Sequence, residues 1–151
     1  MKRDDDDEIL AAARVGFLDE AQDMLRQFEE ALLVMETTPD DTENLNAAFR
    51  AAHTIKGTAG LFGFEAVVAF THDAETLLEG LRSSKIAVNE HVIALLLRSR
   101  DEMERLLGEV QSGESDPAGA AAGAALAAEL RAAMSGGAAS PGKPATIYRA
   151  D

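Results

Sequence analysis

Apolar residues recur every three or four positions along most of the chain, with polar and charged residues between them. This is the spacing of side chains on one face of an α-helix. Four stripes are present: Leu10, Ala13, Phe17, Ala21, Met24, Phe28, Ala31 and Met35; Leu45, Ala48, Phe49, Ala52, Ile55 and Ala59; Val67, Phe70, Ala74, Leu77, Leu78 and Leu81; and Val92, Leu95, Leu96, Ser99, Met103, Leu106 and Val110. No segment alternates with a period of two, so we expect no strand.

The residues between the stripes set the expected helix ends. Acidic residues at Asp4–Glu8 suit the positive N-terminal end of a helix dipole. Asp41 or Thr42 can cap the second helix, and Asn89 can cap the fourth, which we expect to run to Gly113. Four amphipathic helices joined by short loops predict an all-α protein folded as an antiparallel four-helix bundle. The first helix is long enough to span the whole bundle.

The composition changes abruptly at Ser112, after which alanine, glycine, serine and proline dominate. One apolar stripe within this region, Leu126, Leu130 and Met134, predicts a marginal fifth helix. The last residues are typical of a flexible linker, and a chain that ends in a linker indicates a piece of a longer protein. We therefore divide the chain into a bundle at 1–111, an Ala/Gly-rich segment with the fifth helix at 112–135, and a linker at 136–151.

The formal net charge is −13, from 27 acidic and 14 basic residues. Nucleic acid and anionic membranes attract basic surfaces, so neither is an expected partner. The chain has no cysteine, which excludes a disulfide framework or a thiolate metal site. Its start, MKRDDDDEIL, lacks the apolar region of a signal peptide, and the run after Pro117 is too weakly apolar to span a bilayer. We expect a soluble, cytoplasmic, monomeric chain.

The segment His53–Gly63, HTIKGTAGLFG, carries the clearest chemical signal. Gly57 and Gly60 follow His53 on its own side of the helix, where each costs about 1 kcal/mol relative to alanine. They leave the imidazole accessible to a large binding partner, although Gly60 could instead permit close helix packing. Lys56, one turn from His53, supplies a cation that can balance the charge of a phosphoryl group in transfer. We interpret His53 as a nucleophile.

A nucleophilic histidine needs its other ring nitrogen protonated and held, and a carboxylate does this best. If the second and third helices pair antiparallel about Gly63, Glu75 reaches the height of His53. His72 lies one turn before Glu75. We therefore expect Glu75 to accept a hydrogen bond from His53, with His72 alongside.

These two motifs resemble those of the histidine phosphotransfer (HPt) domain at the N-terminus of chemotaxis histidine kinases of the CheA type. The phosphoacceptor motif of that family is similar to His53–Gly57 (HTIKG) with Ala59 and Gly63. The partner motif is similar to Thr71–Leu78 (THDAETLL). The resemblance covers roughly residues 8–111, or to residue 134 if the fifth helix is included, and it implies a bundle of the HPt type.

The resemblance also implies the roles of the site residues. His53 would be the phosphoacceptor, with Lys56, His72 and Glu75 in a hydrogen-bonded cluster around it. An ATP-bound kinase domain, in trans or linked C-terminally, would phosphorylate His53. The phosphoryl group would then pass to an aspartate of a CheY-like response regulator.

Partner domains would supply the ATP and Mg²⁺, because the chain has no nucleotide-binding loop and no cofactor of its own is expected. Alone it would be the substrate and carrier of a histidine protein kinase. Arg50 and Thr54, beside His53, are the expected partner contacts.

Three alternatives stay open from the residues. The first is a stand-alone phosphorelay HPt protein. The second is a metal-binding helical bundle that uses His53, His72 and Glu75, although di-metal bundles take Glu-x-x-His pairs from two helices and this chain has the reverse order once. The third is a structural docking bundle in which His53 is incidental.

Overall fold

The computed structural model describes residues 2–135, with side chains from residue 6 onward. Five helices account for most of this range: α1 Lys2–Thr37, α2 Thr42–Leu61, α3 Glu65–Arg82, α4 Glu90–Ser112 and α5 Pro117–Met134. The described residues contain no strand, and the all-α prediction is confirmed. The predicted linker at 136–151 lies outside the described residues.

The helix ends follow the capping residues. The Asn44 backbone N–H donates to Asp41 Oδ1 at 3.1 Å, and the Val92 N–H donates to Asn89 Oδ1 at 2.9 Å. Gly113 ends α4 in the left-handed region, with φ of +77°, as is common after a helix. These observations confirm the predicted start of α2 and both predicted ends of α4.

The turn between α2 and α3 sets the register of the two helices. Gly63 has φ of +74°, a conformation that glycine adopts without steric cost. Phe62 and Phe64 flank it, and both rings pack on Phe17 of α1, with centroids 5.6 and 5.8 Å from the Phe17 centroid. This aromatic cluster anchors the turn to α1, so the pairing of α2 with α3 is fixed from that end.

The first four helices enclose the core: α1 packs on α2 and α4, and α3 packs on α2 and α4. The largest fully buried side chains come from all four of these helices: Phe28, Leu25, Leu32, Met35, Ile55, Leu77, Leu78, Ile93, Leu95, Leu96, Met103 and Leu107. Burial of apolar surface at about 25 cal/mol per Å² is the main stabilising contribution in such a core. The antiparallel bundle is therefore held by its interior.

The predicted apolar stripe of α1 is wrong at its start. Every residue from 6 to 16 is exposed, including Leu10 and Ala13. With 36 residues α1 is roughly 54 Å long, whereas the 20 residues of α2 span about 30 Å. The beginning of α1 therefore extends past the helices that would cover it. Further along, Leu25 and Leu32 are fully buried while Met24 is only half-buried.

The predicted fifth helix is present and packs against α3 and α4. Asp116 caps it by accepting from the Gly119 N–H at 3.1 Å. Leu126 and Leu130 are buried against α3 and α4, and Arg131 pairs with Asp73 of α3 at 2.9 Å. Residues 117–134 thus share the core of the first four helices.

No helix in residues 2–135 has the length and apolar character needed to cross a bilayer.

Candidate functional site

His53, Glu75 and Lys56 form one cluster between α2 and α3. The register set at Gly63 brings His53 Nδ1 within 2.5 Å of Glu75 Oε2. Lys56 Nζ forms an ion pair with the other carboxylate oxygen, Glu75 Oε1. The Glu75 side chain is only 10% exposed, whereas the His53 ring is 63% exposed. The cluster therefore has a buried anion and an accessible imidazole, and Glu75 lies opposite His53 as the helix pairing predicted.

The charge state of Glu75 determines the tautomer of His53. Burial by itself raises the pKa of the Glu75 carboxyl, but the hydrogen bonds and positive charge of Lys56 and the hydrogen bond from His53 outweigh burial. The pKa of Glu75 consequently lies below its ordinary value of 4.5. An ionised carboxylate can only accept, so His53 Nδ1 carries the proton and donates it. In the uncharged imidazole, Nε2 then keeps a free lone pair.

The face of α2 that carries His53 is open along the following turn. Gly57 is exposed, and a Cβ atom built on it would meet no atom within 4 Å. A Cβ atom on Gly60 would touch only Val68 Cγ2, at 4.0 Å. Ordinary contact at that distance does not require glycine, so close packing does not account for Gly60. Leu61 continues the open face and is 85% exposed.

The structure does not bring His72 into the cluster. His72 lies on the exposed side of α3, and within residues 2–135 its ring takes part in no hydrogen bond or ion pair. One turn of helix separates it from Glu75, but the rotation of α3 that buries Glu75 turns His72 outward. Arg50 and Thr54 are exposed on α2.

Two further side chains lie on the N-terminal side of His53, and the sequence pointed to one of them. The Phe49 ring lies nearly parallel to the imidazole, at an interplanar angle of 7° and a centroid distance of 6.0 Å. The Arg82 guanidinium lies over the Phe49 ring, 4.2 Å from its centroid. The spacing of four residues between Phe49 and His53 signalled the first contact. Nothing in the sequence pointed to Arg82.

Within the described part of the chain, no group of three or more His, Asp or Glu side chains is placed to hold a metal ion. The metal-binding alternative therefore lacks a donor set in this range, because His72 lies outside the cluster of His53 and Glu75.

The lowered pKa of Glu75 predicts how stability varies with pH. A group with a lower pKa in the folded chain contributes its full stability above the unfolded value, near pH 4.5, and loses it as pH falls through the folded value. We expect wild type to exceed Glu75→Gln by about 1–2 kcal/mol in free energy of unfolding at pH 7. Urea unfolding at pH 7, 5 and 3.5 should show the difference shrinking below pH 4.5.

Glu36→Gln is the matched control, since Glu36 is exposed on α1 and outside every ion pair among the described residues. The difference in free energy of unfolding between Glu36→Gln and wild type should not shrink below pH 4.5. A Glu75→Gln difference that stays constant down to pH 3.5 would contradict the assignment of Glu75 as an ionised acceptor.

Known proteins resemble this chain in both sequence and fold. The Hpt domain family model matches residues 13–135. The chemotaxis protein CheA of Salmonella typhimurium is 40% identical over 102 residues, which are 68% of this chain and 15% of that protein. CheA of Rhizobium meliloti is 38% identical over 97 residues, which are 64% of this chain and 13% of that protein. The chain thus spans only a small part of the length of these relatives.

Two solved structures have the same bundle. The CheA phosphotransferase domain from Thermotoga maritima has a TM-score of 0.62 at 31% identity, covering 66% of this chain and 94% of that domain. The phosphorylated P1 domain of CheA3, solved in complex with CheY6 from R. sphaeroides, has a TM-score of 0.72 at 24% identity, covering 81% and 94%. At 24% identity, the similarity to the CheA3 P1 domain shows a common fold and nothing more. Since the family model spans all five helices except the start of α1, this chain belongs to the Hpt domain family.

Proposed function

We propose that this chain is a phosphoryl carrier of a chemotaxis histidine kinase. His53 accepts a phosphoryl group from ATP bound to a kinase domain and passes it to an aspartate of a CheY-like response regulator. The observation that carries the proposal is the exposed His53 imidazole, whose Nδ1 is held by the buried, ionised Glu75. Membership of the Hpt family and the likeness to CheA proteins support it.

In the first step, the lone pair of His53 Nε2 attacks the γ-phosphorus of ATP. The Nε2–P bond forms as the bond from phosphorus to the bridging oxygen breaks, and ADP leaves with that electron pair. The ring becomes positively charged while its Nδ1 proton stays on the hydrogen bond to Glu75. Glu75 is thus placed to stabilise the charge that develops on the imidazole.

Lys56 has two roles in this step. Its ion pair with Glu75 keeps that carboxylate ionised and therefore keeps the Nδ1 proton in place. Its ammonium group, on a flexible stem one turn from His53, can also balance charge on the phosphoryl oxygens as they transfer.

In the second step, a carboxylate oxygen of the regulator attacks phosphorus and the Nε2–P bond breaks, returning its electron pair to His53. The regulator must bring its aspartate in line with Nε2, so its active-site rim sits on the exposed face of α1 and α2. Arg50 and Thr54 lie on that face next to His53 and are the proposed contacts. ATP and Mg²⁺ belong to the partner domains, and we infer a cytoplasmic location from the kinship with CheA.

Radiolabelled ATP and the kinase portion of a CheA protein without its own Hpt region test the proposal. We expect label on the wild-type chain that is stable in alkali and lost in acid, which is the behaviour of a phosphoramidate bond. Adding a CheY protein with Mg²⁺ should remove the label within minutes, and chelation of Mg²⁺ should prevent that removal. Acid-stable label, or label that a CheY protein never takes, would contradict the proposal.

A further inference from the structure

A second set of contacts reaches His53 through Phe49. The Phe49 ring lies between two groups along α2, with His53 one turn after it and Asn46 about one turn before it. Arg82 Nε donates to Asn46 Oδ1 at 2.9 Å while its guanidinium lies over Phe49, 4.2 Å from the ring centroid. We refer to the stacked side chains of Arg82, Phe49 and His53, in this order, as the column.

The column is tied to α3 at two heights. Glu75 holds His53, and Arg82, seven residues later on α3, reaches Asn46, seven residues before His53 on α2. Two turns of each antiparallel helix thus separate the two attachments. Phe49 lies between them, with its ring nearly parallel to the imidazole at 7°.

The hydrogen bond to Glu75 leaves one rotation of the imidazole ring unrestrained. It fixes the position of Nδ1 and the tautomer, but the ring can still tilt about the N–H···O direction. In-line transfer depends on the direction of the Nε2 lone pair, and a misplacement of 1 Å at a reacting atom can cost about 10²-fold in rate. A flat neighbour against one face of the ring is the simplest restraint on that tilt.

We propose that Phe49 and Arg82 are positioning residues for phosphoryl transfer: Phe49 sets the plane of the His53 ring, and Arg82 holds the Phe49 ring in place. The inference rests on the proposed function, since it concerns the same nucleophile. A guanidinium over an aromatic face is attracted to the ring quadrupole, and the hydrogen bond to Asn46 and the ion pair with Glu79 at 3.2 Å fix that guanidinium. Arg82 contacts Asn46, Glu79 and Phe49, and Phe49 stacks on His53, so both residues would act through the His53 ring.

Phosphoramidate tests the inference, because this small phosphoryl donor reaches His53 without docking of a kinase domain. We expect Arg82→Ala and Phe49→Leu each to slow phosphorylation of His53 about tenfold. Phe49→Tyr, which keeps the aromatic face, should restore the wild-type rate. Arg98→Ala is the matched control, since Arg98 is an arginine in a surface ion pair, with Glu129 of α5.

Proton and ¹⁵N spectra of the His53 ring give a readout that a purely structural role would not move. In Arg82→Ala the ¹⁵N shifts should still report the Nδ1–H tautomer, because Glu75 is intact. The ring-proton shifts should move, because the loosened phenyl ring no longer exerts the same ring current. Urea unfolding of each variant establishes that the bundle is folded during the rate measurement.

The outcomes separate the inference from the proposed function. Wild-type rates and unmoved ring-proton shifts in Arg82→Ala overturn the positioning role alone. A loss of rate seen with a kinase domain but not with phosphoramidate overturns it too, since it makes Arg82 a docking contact. A wild-type chain that takes no phosphoryl group on His53 overturns the proposed function, and the positioning role with it.

Discussion

Replacing His53 with glutamine should abolish phosphoryl acceptance completely while the bundle stays folded. An amide has no lone pair comparable to that of Nε2, so the attacking atom is lost outright. The side chain is 63% exposed and belongs to no part of the core. Its one hydrogen bond among the described residues, to Glu75, can also be donated by the glutamine amide, so we expect the free energy of unfolding to change by less than about 1 kcal/mol. Incorporation of label from ATP, in the presence of a kinase domain, measures the effect.

His72→Gln is the matched control for this prediction. His72 is also an exposed histidine on a helix, and its ring has no hydrogen-bond partner within the described residues. We expect labelling within about threefold of wild type, a change of less than 1 kcal/mol in transition-state free energy. Labelling of His53→Gln at the wild-type rate would contradict the assignment of His53 as the phosphoacceptor. A loss in His72→Gln as severe as in His53→Gln would return His72 to the mechanism.

Gly57→Leu should make the chain more stable and yet nearly inactive toward its protein partners. A Cβ atom at Gly57 meets nothing within 4 Å, and leucine in place of glycine adds about 1 kcal/mol of helix stability. The same leucine would stand on the face from which a kinase domain or a regulator must reach His53. We expect phosphorylation by a kinase domain to fall at least tenfold while the urea midpoint rises.

Gly108→Leu on α4 separates the two effects. Gly108 is also exposed, and a Cβ atom on it also meets nothing within 4 Å. Its replacement should raise the urea midpoint as Gly57→Leu does and leave the rate of phosphorylation unchanged. Phosphoramidate should label Gly57→Leu nearly as fast as wild type, because a small donor needs little room. If the kinase domain phosphorylated both variants at the same rate, the absence of a side chain at Gly57 would not be needed for access to His53.

Most of the bundle could be predicted from the period of apolar residues and from a few caps. Asp41 and Asn89 mark helix starts because their side chains satisfy backbone N–H groups there. Gly63 marked the reversal, and counting outward from it placed Glu75 opposite His53, where the structure has it. Each of these inferences rests on local geometry or on one helix pairing.

The apolar pattern did not fully predict which residues of α1 and α5 are buried, because burial depends on the neighbours of each helix. An apolar stripe shows which face of α1 could be buried, but not whether another helix reaches Leu10 to bury it. The stripe in α5 looked weak because alanine and glycine contribute little area. Leu126 and Leu130 are nevertheless buried, since α3 and α4 offer them a surface.

The details of the site depended on helix rotation. His72 and Glu75 are one turn apart, and the sequence alone could not show that the rotation burying Glu75 exposes His72. Arg82 in the last turn of α3 has the appearance of an ordinary cation at a helix C-terminus. Its place over Phe49 follows from how α2 and α3 rotate against each other, which core packing decides.

With the His53 imidazole uncharged, the cluster of Lys56, Glu75 and His53 has a net charge of zero, within a chain whose formal net charge is −13. A phosphoryl group on His53 adds about −1.5 to −2 charges, only partly offset by the positive ring. The loaded cluster is therefore an anion and the empty cluster is not. A partner whose active site holds a divalent cation is therefore attracted more strongly to the loaded cluster than to the empty one.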